Sequence, residues 1–204
     1  MKHKLLTMAF IVMITAKSLV GQSIGGMVQM GIYSPKYTNV QKAEEEISGT
    51  GFITLGAVYE LKLGDQSKHI VPLVISYSRF GTEQNFGENQ VMTNSANNLS
   101  IGAGYKYFFV GDESAVRPFV GLVLNYEGLI NSKYYYDAQQ TGDLDWESNF
   151  YTNFQAGVGV ETGLNSRIDF YLTANTGLLN RLEESSYGVY RDNFYGLGVN
   201  FVFN

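Results

Sequence analysis

The amino-acid sequence predicts an all-β protein, an eight-stranded antiparallel up-and-down β-barrel that crosses a membrane. Three observations carry this prediction: apolar residues recur at every second position, long and short connections alternate, and charge is scarce. Only 16% of the 204 residues are charged, whereas an ordinary soluble domain has about 25% charged residues. Period-2 alternation places two different sets of side chains on the two faces of a sheet, so it indicates strands rather than helices.

The first segment, residues 1–21, is predicted to be a secretory signal peptide and not part of the fold. Two lysines precede an apolar run from Leu5 to Ala16, and this run is shorter than the ~20 residues that a membrane helix needs. Small residues follow, which is typical of a cleavage site. A cut before Gln22 would leave residues 22–204 as a single barrel domain.

Eight later segments alternate between an uncharged apolar face and a face rich in glycine and small polar residues. On the fifth segment, for example, Leu122 and Leu124 belong to the apolar face, whereas Gly121 and Asn125 belong to the other. We expect the apolar face to meet lipid and the glycine-rich face to line a narrow lumen. The predicted strands are 24–32, 53–63, 71–77, 99–109, 120–126, 150–162, 168–176 and 195–203.

The connections between these strands differ in length in a regular way. Long polar connections are predicted at 34–48, 81–97, 128–147 and 179–192, and short turns at 64–69, 111–116 and 163–167. This order is typical of outer-membrane barrels, which have short periplasmic turns and longer extracellular loops. Aromatic residues near the loop ends, such as Tyr77, Tyr126 and Tyr195, predict an interfacial girdle.

The final segment alternates aromatic and aliphatic residues from Tyr195 to Phe203, before Asn204. With the signal peptide and the eight strands, it resembles the small outer-membrane β-barrel families of the OmpA-barrel and OmpX type, over essentially all of residues 22–204. The resemblance implies a monomer in the outer membrane of a Gram-negative bacterium, in contact with outer-membrane lipid and lipopolysaccharide. It also implies insertion by the barrel-assembly machinery, which reads the last strand of such proteins.

We expect a non-enzymatic, structural or surface-interaction role, of the adhesion or stress type, through the four long loops. Tyr-rich polar loops are adaptable contact surfaces, so the expected partner is a surface protein or host ligand. The aromatic loop residues are Tyr37, Tyr134, Tyr135, Tyr136, Trp146, Tyr187 and Tyr190. The alternative is a narrow gated channel or small-solute permeation protein, although an eight-stranded barrel has an interior that side chains fill.

Other functional classes are disfavoured, and we expect no catalytic, cofactor or metal residues. After the signal peptide the only histidine is His69 in a periplasmic turn, so a Ser–His site at the outer rim lacks its base. Asp143, Asp145 and Glu147 alternate like calcium ligands but do not follow the EF-hand spacing. The net charge of −5 disfavours nucleic acid. A soluble lipocalin-type barrel would show its charged face outside.

The candidate site is a salt-bridge network inside the lumen, near the short-turn ends of the strands. Its members are Glu60, Lys62, Lys106, Arg117, Glu161 and Asp169. All six occupy positions that face the lumen in their predicted strands, and positively and negatively charged side chains occur at the same depth. Because an unpaired buried charge is costly, we expect ion pairs, with Lys106 bridging Glu60 and Glu161 and closing the periplasmic half of the lumen.

Overall fold

The computed structural model describes residues 21–38, 44–45, 48–64, 66–85, 91–136, 139–142, 148–163, 165–179 and 189–203. Eight long strands of this part form one closed antiparallel barrel, which confirms the predicted fold. The strands are β1 (Gln22–Tyr33), β2 (Gly51–Leu63), β3 (His69–Asn85), β4 (Val91–Phe108), β5 (Val116–Tyr136), β6 (Asn149–Glu161), β7 (Ser166–Gly177) and β8 (Asn193–Phe203). The described residues contain no helix long and apolar enough to cross a membrane. The predicted signal peptide lies outside the described residues except for Gly21.

Each strand pairs with its successor in the chain, and β8 pairs with β1 to close the barrel. The stagger of the closed barrel can be traced from one paired residue to the next. A path that starts at Phe203 and passes once around the barrel ends at Asn193, ten positions away on the same strand. The path runs Phe203, Ile24, Tyr59, Leu73, Ala103, Leu124, Thr152, Thr176, Asn193. In a barrel of this kind the strands tilt by about 35–45° from the axis, and the lumen is only wide enough for side chains.

Side chains alternate between two environments along the strands. On β5, Leu122 is 51% exposed and Leu124 is 49% exposed, whereas Val123 between them is 3% exposed. The outward positions form an apolar belt that includes Ile24, Met30, Leu55, Ile101, Phe154, Leu172 and Leu197. The inward positions include the buried polar residues Ser23, Gln29, Ser76, Asn153, Thr173 and Asn200. The predicted assignment of the two faces is therefore confirmed.

The two ends of the barrel carry different connections. The short connections between β2 and β3, between β4 and β5 and between β6 and β7 join strand ends at one end of the barrel, and the other four connections join strand ends at the opposite end. Parts of the latter form short strand segments at Lys36–Thr38, Glu44–Glu45, Ser48–Gly49, Gln139–Gly142 and Val189–Arg191.

The predicted extent of two long connections is wrong. Residues 81–97 and 128–147 were expected to be loops, but β3 and β4 pair as far as Asn85 and Val91, and β5 continues to Tyr136. Past the apolar belt the outward positions of these strands become polar, as at Arg79, Asn97 and Asn131. Period-2 hydrophobicity ends there although the backbone hydrogen bonds do not.

Close approach of neighbouring strands decides where the inward face requires glycine. At Gly104 on β4, an added Cβ atom would lie 2.2 Å from the carbonyl oxygen of Leu122 on β5. At Gly121 on β5, the nearest atoms to an added Cβ are the Tyr105 carbonyl oxygen at 3.5 Å and Gln155 Oε1 at 3.6 Å. A side chain is therefore excluded at the first position by backbone and accepted at the second.

We predict that Gly104→Ala destabilises the barrel by about 3 kcal/mol, because the new methyl group can be accommodated only by separating β4 from β5. The matched control is Gly121→Ala, which should leave stability nearly unchanged. Urea unfolding of the detergent-refolded proteins measures the difference. Equal stability of the two variants would show that the strands are not as close as described.

Candidate functional site

Side chains fill the lumen in three layers between the short-turn end and the loop end. The ionic layer, near the short turns, consists of Glu60, Lys106, Arg167 and Asp169. The aromatic layer, near the loops, consists of Tyr33, Phe52, Phe80, Ala96, Tyr151 and Phe194. Polar residues lie between them, with a small apolar cluster of Met27, Val58, Val74, Val123 and Val202.

In the ionic layer every carboxylate oxygen accepts a hydrogen bond from a cation. Lys106 Nζ lies 2.8 Å from Glu60 Oε1 and 2.9 Å from Asp169 Oδ2. Arg167 donates from Nη2 to Glu60 Oε2 at 2.6 Å and from Nε to Asp169 Oδ1 at 2.6 Å. The four side chains are 0–1% exposed. Two cations and two anions thus form a neutral cluster that closes the lumen at this depth.

The fold explains why these residues meet. Glu60 lies on β2, Lys106 on β4, and Arg167 and Asp169 on β7. β7 is not a sheet neighbour of β2 or β4, so the contacts cross the lumen. Long side chains can reach across because the eight-stranded barrel is narrow.

Aromatic rings surround the cations of this end of the lumen. Lys106 Nζ lies 4.9 Å from the centroid of the Phe119 ring, and Arg167 Cζ lies 4.7 Å from that of Phe108. Arg117 Cζ also lies over the Phe108 ring, 4.2 Å from its centroid. These contacts add cation–π attraction and replace water around the charged groups.

One predicted ion pair is wrong. The second carboxylate on Lys106 is Asp169, and Glu161 instead accepts from Arg117 Nη1 at 3.1 Å. Arg117 also donates from Nη2 to the Ser67 carbonyl oxygen at 2.7 Å, which attaches β5 to the first short turn. The physical reason is the stagger of the strands, which places β7 rather than β6 opposite Lys106 at this depth.

The sequence analysis also missed a member of the layer. Arg167 was assigned to a short turn, but it is the second residue of β7. The sequence does indicate this role, because Arg167 lies two residues before Asp169, and residues two apart on a strand face the same side of the sheet. Lys62, by contrast, was expected in the network, and it is partly buried outside the ionic layer.

The aromatic layer closes the lumen at the loop end. Phe194 packs on Tyr33 with ring centroids 4.7 Å apart and on Phe80 at 5.0 Å. Asp192 is fully buried beside this layer and accepts hydrogen bonds from the hydroxyl groups of Tyr33 and Tyr151. A buried carboxylate therefore holds two of the aromatic rings in position.

The middle of the lumen is polar and contains a cavity of about 50 Å³. Hydrogen bonds across its wall include Ser76 to Ser100 at 2.7 Å and Thr173 to Asn153 at 3.1 Å. A volume of this size suits about three or four water molecules and not a metabolite.

The remaining candidates from the sequence are not part of the lumen site. His69 begins β3 at the short-turn end, and its Nδ1 is hydrogen-bonded to the Tyr105 hydroxyl. Asp143, Asp145 and Glu147 lie outside the described residues. Within the described part of the chain, no group of three or more His, Asp or Glu residues is arranged to hold a metal ion.

We predict that Lys106→Ala lowers the free energy of unfolding by about 3–5 kcal/mol, because it leaves Glu60 and Asp169 with excess buried negative charge. If water enters instead, the variant should conduct ions, so planar-bilayer recordings accompany the urea titration. The double variant Lys106→Ala/Glu60→Gln rebalances the charge and should regain part of the loss. A Lys106→Ala protein with wild-type stability and wild-type conductance would contradict a closed ionic layer.

No protein-family model and no curated protein matches the chain, but solved structures do. The outer membrane protein OprG from Pseudomonas aeruginosa superimposes with a TM-score of 0.53 at 14% identity, covering 90% of this chain and 95% of that one. Neisserial surface protein A gives 0.46 at 15% identity, covering 86% and 95%. Ail of Yersinia pestis gives 0.45 at 12% identity, covering 90% and 100%. At these identities the likeness concerns the fold alone, and the fold that the chain shares with the outer membrane protein OprG is a closed antiparallel β-barrel.

Proposed function

We propose that the chain is an integral protein of the Gram-negative outer membrane, exported by its signal peptide, with a structural or surface-interaction role at its loop-bearing rim. The observation that carries the proposal is the distribution of polarity: an apolar belt outside and charged and polar layers inside. This distribution is the inverse of that in a soluble protein. Closure of the barrel also pairs each of the eight strands with a neighbour on both sides, so no edge of the described sheet would face lipid with unpaired backbone groups.

Aromatic side chains at the loop-end border of the belt support this placement. Tyr77, Tyr126, Phe150 and Tyr195 are outward-facing and 40–53% exposed. Tyr126 and Phe150 contact each other with ring centroids 5.0 Å apart. Tyrosine is favoured where hydrocarbon meets headgroups, since its ring is apolar and its hydroxyl polar.

The layered lumen supports a role at the rim rather than transport. The ionic layer and the aromatic layer lie on the two sides of the small cavity, and both consist of buried, mutually bonded side chains. A narrow gated channel would have to open both. We therefore propose a non-enzymatic monomer whose loops bind a surface protein or host ligand, in a membrane reached through the barrel-assembly machinery.

We predict that the protein fractionates with the outer membrane and migrates differently in detergent gels before and after boiling, because the closed barrel resists detergent until heated. Cell fractionation followed by gel electrophoresis of unheated and heated samples provides the measurement. Recovery in the soluble periplasmic fraction would contradict the proposal.

We predict further that Leu122→Arg impairs membrane assembly whereas Gly121→Ser does not. Leu122 lies in the apolar belt, where an arginine near the bilayer midplane costs about 2–4 kcal/mol. Gly121 faces the lumen and has room for a side chain. Folding yield into lipid vesicles distinguishes the two variants, and equal tolerance of both changes would mean that no lipid contacts the belt.

A further inference from the structure

Two of the short strand segments at the loop end continue the pairing that closes the barrel. Lys36–Thr38 follows β1 in the chain, Val189–Arg191 precedes β8, and the two segments pair with each other. Their pairing begins three residues beyond the last pair of β1 and β8 on both strands, so the register is unchanged. We call these two segments the rim strap. The rim strap extends the seam between the first and the last strand beyond the wall of the barrel.

The rim strap leaves the wall of the barrel at Pro35. Along an antiparallel strand, backbone amides point alternately to the two neighbouring strands. Tyr33 donates to the carbonyl oxygen of Thr50, next to the start of β2, at 2.9 Å, and Ser34 donates to that of Asn193 on β8 at 2.7 Å. Pro35 is the next position that faces β2, and proline has no amide hydrogen. The strap can therefore move without breaking a backbone hydrogen bond from this position to β2.

Asp192 connects the rim strap to the aromatic layer. It directly follows Val189–Arg191 and is fully buried, and it lies two residues before Phe194, so both side chains face the lumen. Its carboxylate accepts hydrogen bonds from the hydroxyl groups of Tyr33 on β1 and Tyr151 on β6. A carboxylate buried among aromatic rings is costly unless hydrogen-bond donors satisfy it. The end of the strap is therefore fixed to two rings that belong to two other strands.

The same rings form one wall of the polar cavity in the middle of the lumen. The centroid of the Phe194 ring lies 4.7 Å from that of Tyr33 and 5.7 Å from that of Tyr151. Phe52, Tyr151 and Phe194 line the cavity of about 50 Å³. The aromatic layer thus bounds the cavity on the loop side, and a displacement of these rings would connect the cavity with the loop end of the barrel.

We propose that the rim strap is a latch for the outer half of the lumen. When its two strands separate, Asp192 on the β8 side moves away from Tyr33 on the β1 side, and the hydrogen bonds that fix two rings of the aromatic layer are lost. The layer then opens, and water and small ions reach the polar cavity. The ionic layer remains closed, so the opened lumen is a vestibule and not a pore. This inference rests on the proposed function, because a partner bound at the loop-bearing rim is what separates the strap.

The test measures access to the cavity with one introduced thiol, since the chain contains no cysteine. Ser100 lines the cavity and is 7% exposed, and Ser100→Cys places a thiol of similar size there. This reporter protein is inserted into nanodiscs and treated with a small cationic methanethiosulfonate, and mass spectrometry of its peptides follows the rate of labelling. Asp192→Ala should raise this rate at least about tenfold, because two hydrogen bonds of the closed state are lost. Asp192→Asn, which keeps one acceptor oxygen, should give an intermediate rate.

The matched control removes a buried tyrosine hydroxyl that does not belong to the latch. Tyr171 packs with Phe108 and Phe119 near the ionic layer, and its hydroxyl is hydrogen-bonded to Gln29 and Asn200. Tyr171→Phe should therefore leave the labelling of the reporter thiol unchanged. An increase equal to that of Asp192→Ala would contradict the latch, because it would show that loss of any buried hydrogen bond admits the reagent.

A crosslink tests the movement of the strap itself. Tyr37 and Tyr190 are paired residues of the strap, and the Cα separation of about 4.5–5.5 Å in an antiparallel pair suits a disulfide. Tyr37→Cys/Tyr190→Cys, added to the Asp192→Ala reporter and oxidised, should return labelling to the slow rate of the parent reporter. Reduction of the crosslink should make labelling fast again.

Two results would overturn the inference. One is equal labelling with and without Asp192, and the other is fast labelling that the crosslink does not slow, which would mean that Asp192 only stabilises the barrel. Gel migration before and after heating shows which variants fold, and Asp192→Asn carries the test if Asp192→Ala does not. A folded, inserted barrel with unchanged labelling refutes the latch alone, whereas a wild-type chain recovered in the soluble fraction refutes the proposed function as well.

Discussion

Closure of eight strands with a stagger of ten residues is the constraint on which the rest of the structure depends. It pairs every strand on both sides, and it makes the lumen so narrow that side chains from opposite walls must share one space. Glycine is required at positions such as Gly104 because the adjacent backbone of β5 approaches closely there. The interior is consequently packed with ionic, polar and aromatic side chains around a small cavity.

Polar residues in such a core specify the register of the barrel. A shift of one strand by one residue would turn Lys106 or Glu60 out into lipid and turn leucines into the lumen. Replacing a buried ion pair with apolar residues of similar size is often neutral or stabilising in water-soluble proteins. In a barrel that faces lipid, the ionic layer distinguishes inside from outside, which an apolar interior could not do. The charges thus contribute to specificity even where their net contribution to stability is small.

The sequence was sufficient to predict the number of strands, their order and the orientation of their faces, because these depend on local period-2 alternation. The sequence was insufficient to predict the second carboxylate that binds Lys106. The choice between Asp169 on β7 and Glu161 on β6 depends on the stagger of the strands, which is set by the pairing around the whole barrel. Arg167 was missed because it stands at a strand end, where alternation is too short to recognise. The outer extensions of β3, β4 and β5 were missed because their outward positions, such as Arg79, Asn97 and Asn131, are polar, so the alternation of apolar and polar residues ends although the strand pairing continues.

The extensions of β3, β4 and β5 beyond the apolar belt carry residues of both the lumen and the outer surface. β3, β4 and β5 continue beyond the apolar belt as paired strands, so Arg79, Asn97 and Lys133 stand on hydrogen-bonded backbone and not on loops. Inward, the same stretch contributes Phe80 and Ala96 to the aromatic layer. The aromatic layer therefore packs directly behind these outward polar residues, so one stretch of paired backbone fixes both the inner layer and the outer polar positions.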